Sequence, residues 1–223
     1  MAASHRSGAA SALRRAGAPL SDCETPLGRS DFCHSPVEVA PTLIGARLVM
    51  DAGTTNEVEA VLVEVEAYLG GDDPASHAHR GPTPRTTVMF AEPGHLYVYL
   101  SYGIHRCANI VCERAGIAGA ILLRSAAVTR GESVVRWRRQ SESTILPSAA
   151  LLRGPGNLGA GLELRLEDNG LDVCHPRGRC RVLPALERPD IVIGPRVGIS
   201  RGLDRPLRFS WAGHAALSST RVR

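Results

Sequence analysis

No lysine occurs in the 223 residues of this chain, so all 26 basic side chains are arginine. No lysine amine is thereby available for a covalent imine, and attack at a sugar carbon has to come from water or another nucleophile. Coding bias in an Ala-, Gly- and Arg-rich chain is the ordinary origin of such an absence; whatever its origin, every basic group is permanently charged and can fork onto phosphate oxygens. Long apolar runs are missing too. Stretches such as Ala118–Leu123 fall far short of the roughly 18 to 20 residues that span a bilayer, so no membrane role is expected. No secretory leader precedes the six cysteines, and a reducing, cytoplasmic setting is expected. Cys107 and Cys112, five apart in an apolar segment, would point to opposite faces of a strand and share no metal. Cys174 and Cys180 lie in a Pro/Gly/Arg loop where free thiols are the ordinary reading and a metal clip or cross-link the alternative.

Aromatic residues make up only 4% of the chain, yet all four tyrosines (Tyr68, Tyr97, Tyr99, Tyr102) fall in one short window that opens beside Glu66. Flat side chains gathered next to a carboxylate suit a site that stacks something flat and does chemistry on it. Charge is distributed as unevenly. The net charge is +4, but residues 57–73 hold six acids and no arginine, which leaves an acidic strand in a basic setting.

Three segments follow from composition: a disordered basic tail over 1–26, for which a transit peptide is the alternative, one domain over 27–216, and a C-terminal tail over 217–223. Within the domain, Asp31 and Ser35 are cap candidates, and Val37–Leu48 contains an apolar-rich segment that reads as a short helix leading into Arg47–Met50. Glu57–Tyr68 reads as a long β-branched strand and Gly70–Arg85 as a loop. Leu96–Leu100 and His105–Cys112 read as a hairpin turning at Ser101–Ile104, with a further strand at Ala120–Ser125. Glu132–Gln140 and Ala149–Arg153 are helical candidates, and Gly154–Asn157 starts another helix or turn. Short strands are expected around Leu171–Cys174, Asp190–Ile193, Arg196–Ser200 and Leu207–Ser210. The expected fold is α+β (mixed): a single domain around a largely antiparallel curved sheet with flanking helices.

On a strand, Glu64, Glu66 and Tyr68 share a face, so a carboxylate and an aromatic could line one pocket. The ordinary fate of a strand glutamate is solvent exposure, expected for Glu57, Glu59 and Glu64. Tyr97 and Tyr99 share a face as well, Tyr97 being the better core candidate. Tyr102, before Gly103 at a hairpin tip, has little chance of burial; an apolar wedge there is the device that unstacks a duplex. His77 and His79 could be half of a metal site, but no third ligand follows at a useful spacing, and His77 reads better as a stacking wall. Asn109, in an apolar strand, is either a satisfied structural amide or a group that reads a base edge.

Carried in order from about Leu27 to Trp211, these residues resemble the alkyladenine (3-methyladenine) DNA glycosylase family. The matching runs are Glu64–Gly70, Ala75–His77, Thr83–Arg85, Met89-Phe90, Pro93–Tyr99, Tyr102-Gly103, Asn109-Ile110, Ile121–Arg124, Gly154-Pro155, Arg196–Ile199 and Pro206–Phe209. The resemblance implies a monofunctional, metal- and cofactor-free enzyme of base excision repair. It would flip alkylated or deaminated purines (3-methyladenine, 7-methylguanine, hypoxanthine, ethenoadenine) out of double-stranded DNA and hydrolyse the N-glycosidic bond, leaving an abasic site without lyase action. It further implies Glu66 as general base, with Arg124 and the main-chain carbonyl of Val197 holding the water, and Tyr68, His77 and Tyr99 as walls for the flipped base. Asn109 would exclude guanine, Tyr102 would intercalate as the tip of a protruding hairpin, and Met89, Ile104, Thr83 and Arg85 would contact DNA. Ile104 and His105 are less bulky than their counterparts in the family, and Glu64 is a second acid on the Glu66 face. A monomer is expected. The alternatives are a non-catalytic damaged-DNA binder, which needs no base at Glu66, and a free-nucleoside hydrolase, which needs no wedge at Tyr102.

Overall fold

Eight strands that pair only antiparallel form one curled sheet in the computed structural model, which describes residues 24–139 and 146–218. The expected tails fall largely outside those residues, as does Gln140 at the end of one helical candidate. The organising strand is β2 (Val58–Tyr68), whose alternating valines suit a pleated, buried surface. One edge of β2 pairs along its length with β5 (Ala120–Arg130). Its other edge is shared: the first half takes β1 (Arg47–Met50), and Glu64–Glu66 take β8 (Arg208–Trp211). Beyond β5 lie β4 (His105–Val111) and β3 (Leu96–Ser101); β6 (Cys180–Leu183) pairs with β1, and β7 (Ile191–Gly194) with β8.

The sheet departs from the sequence expectation in three places. β5 runs five residues past Ser125 because it follows β2 through two register shifts. Leu171–Cys174 forms only a single bridge, Asp172 to His95, while the unanticipated β6 supplies the strand. Arg196–Ser200 is a loop whose Val197 N–H serves a side chain instead of a neighbouring strand.

Helices are short. α1 (Arg29–Phe32) buries Phe32, and α2 (Pro36–Thr42) begins at Ser35, whose Oγ accepts from the Val37 N–H while Glu38 accepts from the Ser35 N–H. α2 is the short helix expected within Val37–Leu48, and it ends at Thr42 ahead of β1. α3 (Glu132–Arg139) buries only Val135, and α4 (Pro155–Gly161) packs on β4 so closely that a Cβ on Gly159 would overlap the Arg106 carbonyl. Ala149–Arg153 is a single 3-10 turn, Ser148–Ala150, in place of the expected helix. The main core lies on the face of the sheet that carries Leu62, Val65, Ile110, Ile121, Leu123 and Phe209, and the helices cover it. Among the described residues no helix is long and apolar enough to cross a membrane, and no group of His, Cys, Asp and Glu is placed to hold a metal. The five described cysteines are free thiols, with burial pushing Cys174 and Cys180 up to about 12.

Candidate active site

Strand register assembles the site. Tyr97 on β3 lies opposite Asn109 on β4, Asn109 opposite Leu122 on β5, Leu122 opposite Glu66 on β2, and Glu66 opposite Arg208 on β8. Residues opposite one another project from the same face, as do residues two further along each strand. Tyr99, Cys107, Arg124 and Tyr68 therefore join that row on one side of the sheet. Together with His77, Met89 and the loop from Val197, they line a cavity of about 780 Å³, within the size range of small-molecule sites.

Glu66 sits directly behind the cavity wall with no exposed surface. Its Oε1 accepts from the Val197 N–H at 2.7 Å, its Oε2 accepts from the Tyr68 hydroxyl at 2.9 Å, and Arg124 Nη1 lies 3.3 Å from Oε1. Burial raises its pKa and the Glu64 charge adds to the rise; Arg124, the Val197 N–H and the Tyr68 hydroxyl oppose it without cancelling it. The net effect is a carboxylate that takes up a proton more readily than an ordinary glutamate. It is Val197's N–H that is tied to Glu66; its side chain is 37% exposed.

Glu64 corrects the expectation of exposure. It is fully buried, with Arg124, Arg208 and the segment at Ser218 packed over its carboxylate. It accepts from Arg124 Nε at 3.1 Å, Arg208 Nη1 at 3.3 Å, Ser125 Oγ at 3.1 Å, and both the N–H (2.6 Å) and hydroxyl (2.9 Å) of Ser218. Burial alone would push its pKa up, but Arg124, Ser218 and Arg208 together hold it below the ordinary value. Two carboxylates two residues apart are thus driven in opposite directions, and Arg124 touches both. Glu59 departs from exposure as well, being largely buried against Arg47 at 3.2 Å.

The aromatic wall is continuous. Tyr99 stacks on Tyr97 with centroids 5.3 Å apart, and the His77 ring meets Tyr99 edge-on at 4.7 Å. Tyr97 is core, 1% exposed, as its sequence context suggests, yet its hydroxyl lies 3.0 Å from His77 Nδ1 and accepts from Arg85 Nε at 3.2 Å. Arg85 lies over the Tyr99 ring, 5.3 Å from its centroid. Partial burial and this guanidinium both lower the His77 pKa and favour a neutral imidazole. Asn109 is 5% exposed and donates to the Tyr97 carbonyl at 3.3 Å. Met89 is buried in the wall of the cavity, with no outward face. Thr83 stays outside, where it shapes the turn before the 3-10 helix Thr87–Phe90 through Thr86.

The β3–β4 hairpin projects its tip at the cavity mouth. Tyr102 is 87% exposed and Ile104 70%. Tyr102 (φ 51°) and Gly103 (φ 73°) both take left-handed backbone, the geometry of a tight hairpin turn that only glycine adopts without cost. Sequence reasoning passed over Asp73 and Arg196, a buried ion pair at 2.6 Å, with the Arg196 guanidinium carbon 4.5 Å from the Tyr68 ring centroid. The available signals were the Arg196–Ile199 run and the acid excess over 57–73.

Fold and site define an α+β protein whose curled sheet presents an aromatic-lined cavity backed by a buried carboxylate of raised pKa. The family model for methylpurine-DNA glycosylase matches residues 30–215. A protein of Corynebacterium jeikeium, provisionally named 3-methyladenine DNA glycosylase, is 44% identical over 205 residues, 87% of this chain and 92% of its own. One of the same provisional name from Cutibacterium acnes is 45% identical over 185 residues (80% and 92%), and one from Rhodopseudomonas palustris strain BisB18 is 44% identical over 196 (86% and 90%). The chain belongs to the methylpurine-DNA glycosylase family and is a DNA glycosylase, a hydrolase of DNA repair.

Proposed function

We propose that the protein, as a monomer, flips alkylated or deaminated purines out of duplex DNA and hydrolyses the N-glycosidic bond with a water activated by Glu66, leaving an abasic site. 3-Methyladenine, 7-methylguanine, hypoxanthine and ethenoadenine are the bases it takes. The observation that carries this reading is the Glu66 carboxylate, unexposed and raised in pKa, behind a wall of Tyr68, His77 and Tyr99. As the glycosidic bond breaks, C1′ becomes cationic; the carboxylate stabilises it and takes a proton from the attacking water, which Arg124 helps to hold. General-base action of this kind contributes about 10² to 10⁴ in rate. Stacking on the tyrosines offsets the roughly few kcal/mol spent in extruding a base. Tyr102 fills the vacated stack, and Asn109 crowds the 2-amino group of guanine. Bases alkylated at N3 or N7 depart as neutral purines from an already cationic state, whereas hypoxanthine has to be protonated as it leaves.

The test is incubation with duplex carrying a single hypoxanthine, and in parallel a 3-methyladenine duplex, followed by alkaline cleavage at abasic sites. Strand breaks that vanish with Glu66→Gln, while duplex binding persists, are the expected outcome. Excision retained by Glu66→Gln removes the base assignment, and no breaks with either substrate leaves a binder.

A further inference from the structure

We infer that Asp73 and Arg196 form a positioning pair for this reaction, holding the Val197 N–H on Glu66 and a guanidinium against the face of Tyr68 turned away from the cavity. The inference rests on Glu66 being the base. Both side chains are wholly buried, and the pair is bidentate: Arg196 Nη1 donates to Asp73 Oδ2 at 2.6 Å and Nη2 to Oδ1 at 2.8 Å. A buried ion pair adds little net stability over apolar residues of the same volume, so what else it touches matters. Asp73 also accepts the N–H groups of Leu69 and Ala75, at 3.1 Å each, on either side of the turn that leaves β2. Arg196 donates to the carbonyl of Ala67, the residue between Glu66 and Tyr68, at 3.0 Å. One ion pair thus staples the end of β2 that carries both site residues to the loop that carries Val197.

Val197 follows Arg196 directly and lies on a largely exposed loop without a strand partner. Its N–H reaches Glu66 at 2.7 Å because the preceding side chain is anchored. Arg196 does not line the cavity, so its contact with Tyr68 occupies the outer ring face and leaves the inner face to a flipped base. Through Val197 the pair fixes where Glu66 Oε1 points; through Tyr68 it fixes the hydroxyl on Oε2. Neither Asp73 nor Arg196 meets the substrate.

Single-turnover excision of hypoxanthine across pH, with duplex affinity by fluorescence anisotropy, tests the pair in Arg196→Gln, Asp73→Asn and Arg196→Lys. Arg196→Gln and Asp73→Asn should each slow excision roughly 10- to 100-fold at neutral pH while affinity changes less than about threefold. The acid limb of the rate should move to higher pH, because an N–H that favours ionised Glu66 has been loosened. Arg196→Lys, which keeps the cation and loses the fork, should recover part of the rate. An unmoved acid limb, or a loss of rate only in step with affinity, overturns the inference. If Arg196→Gln and Asp73→Asn do not fold, Val197→Pro removes the same N–H at an exposed position; it should shift the limb in the same direction, and no shift overturns the inference. The wild type and Glu66→Gln run alongside. Excision that survives Glu66→Gln discards the base and the pair together, whereas excision that needs Glu66 but ignores Arg196 discards the pair alone.

Discussion

Glu64 and Glu66 show how neighbouring side chains of one type are given different tasks by their surroundings. Glu64 has its pKa held down by two arginines and Ser218; Glu66 is buried behind one arginine and has its pKa pushed up by burial. A base must be unprotonated to act, so excision should rise with pH through a value above the 4.5 of an ordinary glutamate. A single-turnover profile flat to below that value would show that Glu66 is not the titrating base. Tyr68→Phe separates stacking from hydrogen bonding at the same site. It keeps the ring and removes a hydroxyl that lowers the Glu66 pKa, so the limb should move further up with duplex affinity unchanged, as anisotropy would show. Glu66 was legible in the sequence because its aromatic partners lie within the same window. Glu64 was not, because two of its donors, Arg208 and Ser218, are 144 and 154 residues away.

At the scale of elements, the long periodic strands were readable, and the short or irregular ones were not. β2, β3 and β4 carry enough alternation to stand out, whereas β6 has four residues, and Arg196–Ser200 looks strand-like although its backbone is committed to Glu66. The hairpin tip was readable from Tyr102-Gly103 alone, and its backbone lets the proposed wedge be tested apart from the turn. Tyr102 sits at φ 51°, a region that asparagine tolerates far better than tyrosine does. Tyr102→Asn should therefore leave the melting temperature unchanged or slightly raised while slowing hypoxanthine release from duplex much more than from single strands. Equal slowing on both substrates would show that the tip is no wedge.

For the whole molecule, the site is closed by the end of the described chain, two residues past the expected limit of the domain. Ser218 gives Glu64 its N–H and hydroxyl and accepts from Arg124 Nη2 at 3.0 Å, so the segment at Ser218 completes the hydrogen bonding around the Glu64 carboxylate of β2. A folded carboxylate whose pKa lies below its unfolded value contributes stability that is present above the ordinary 4.5 and is lost as pH falls through the folded value. Ser218→Pro deletes both donors and should cost about 3 kcal/mol or more at neutral pH, since each hydrogen bond to a charged group contributes about 1.5 to 3 kcal/mol. Ser218→Ala, which keeps the N–H, should cost less, about 1.5 to 3 kcal/mol for the one hydroxyl lost. Because the bonds are stronger to the ionised form than to the protonated one, the Ser218→Pro deficit in denaturant unfolding should shrink as pH is taken down through the Glu64 titration. A deficit equal at neutral and acid pH would mean that Ser218 acts through packing alone, and that the basic surroundings of β2 balance its two carboxylates without help from the chain terminus.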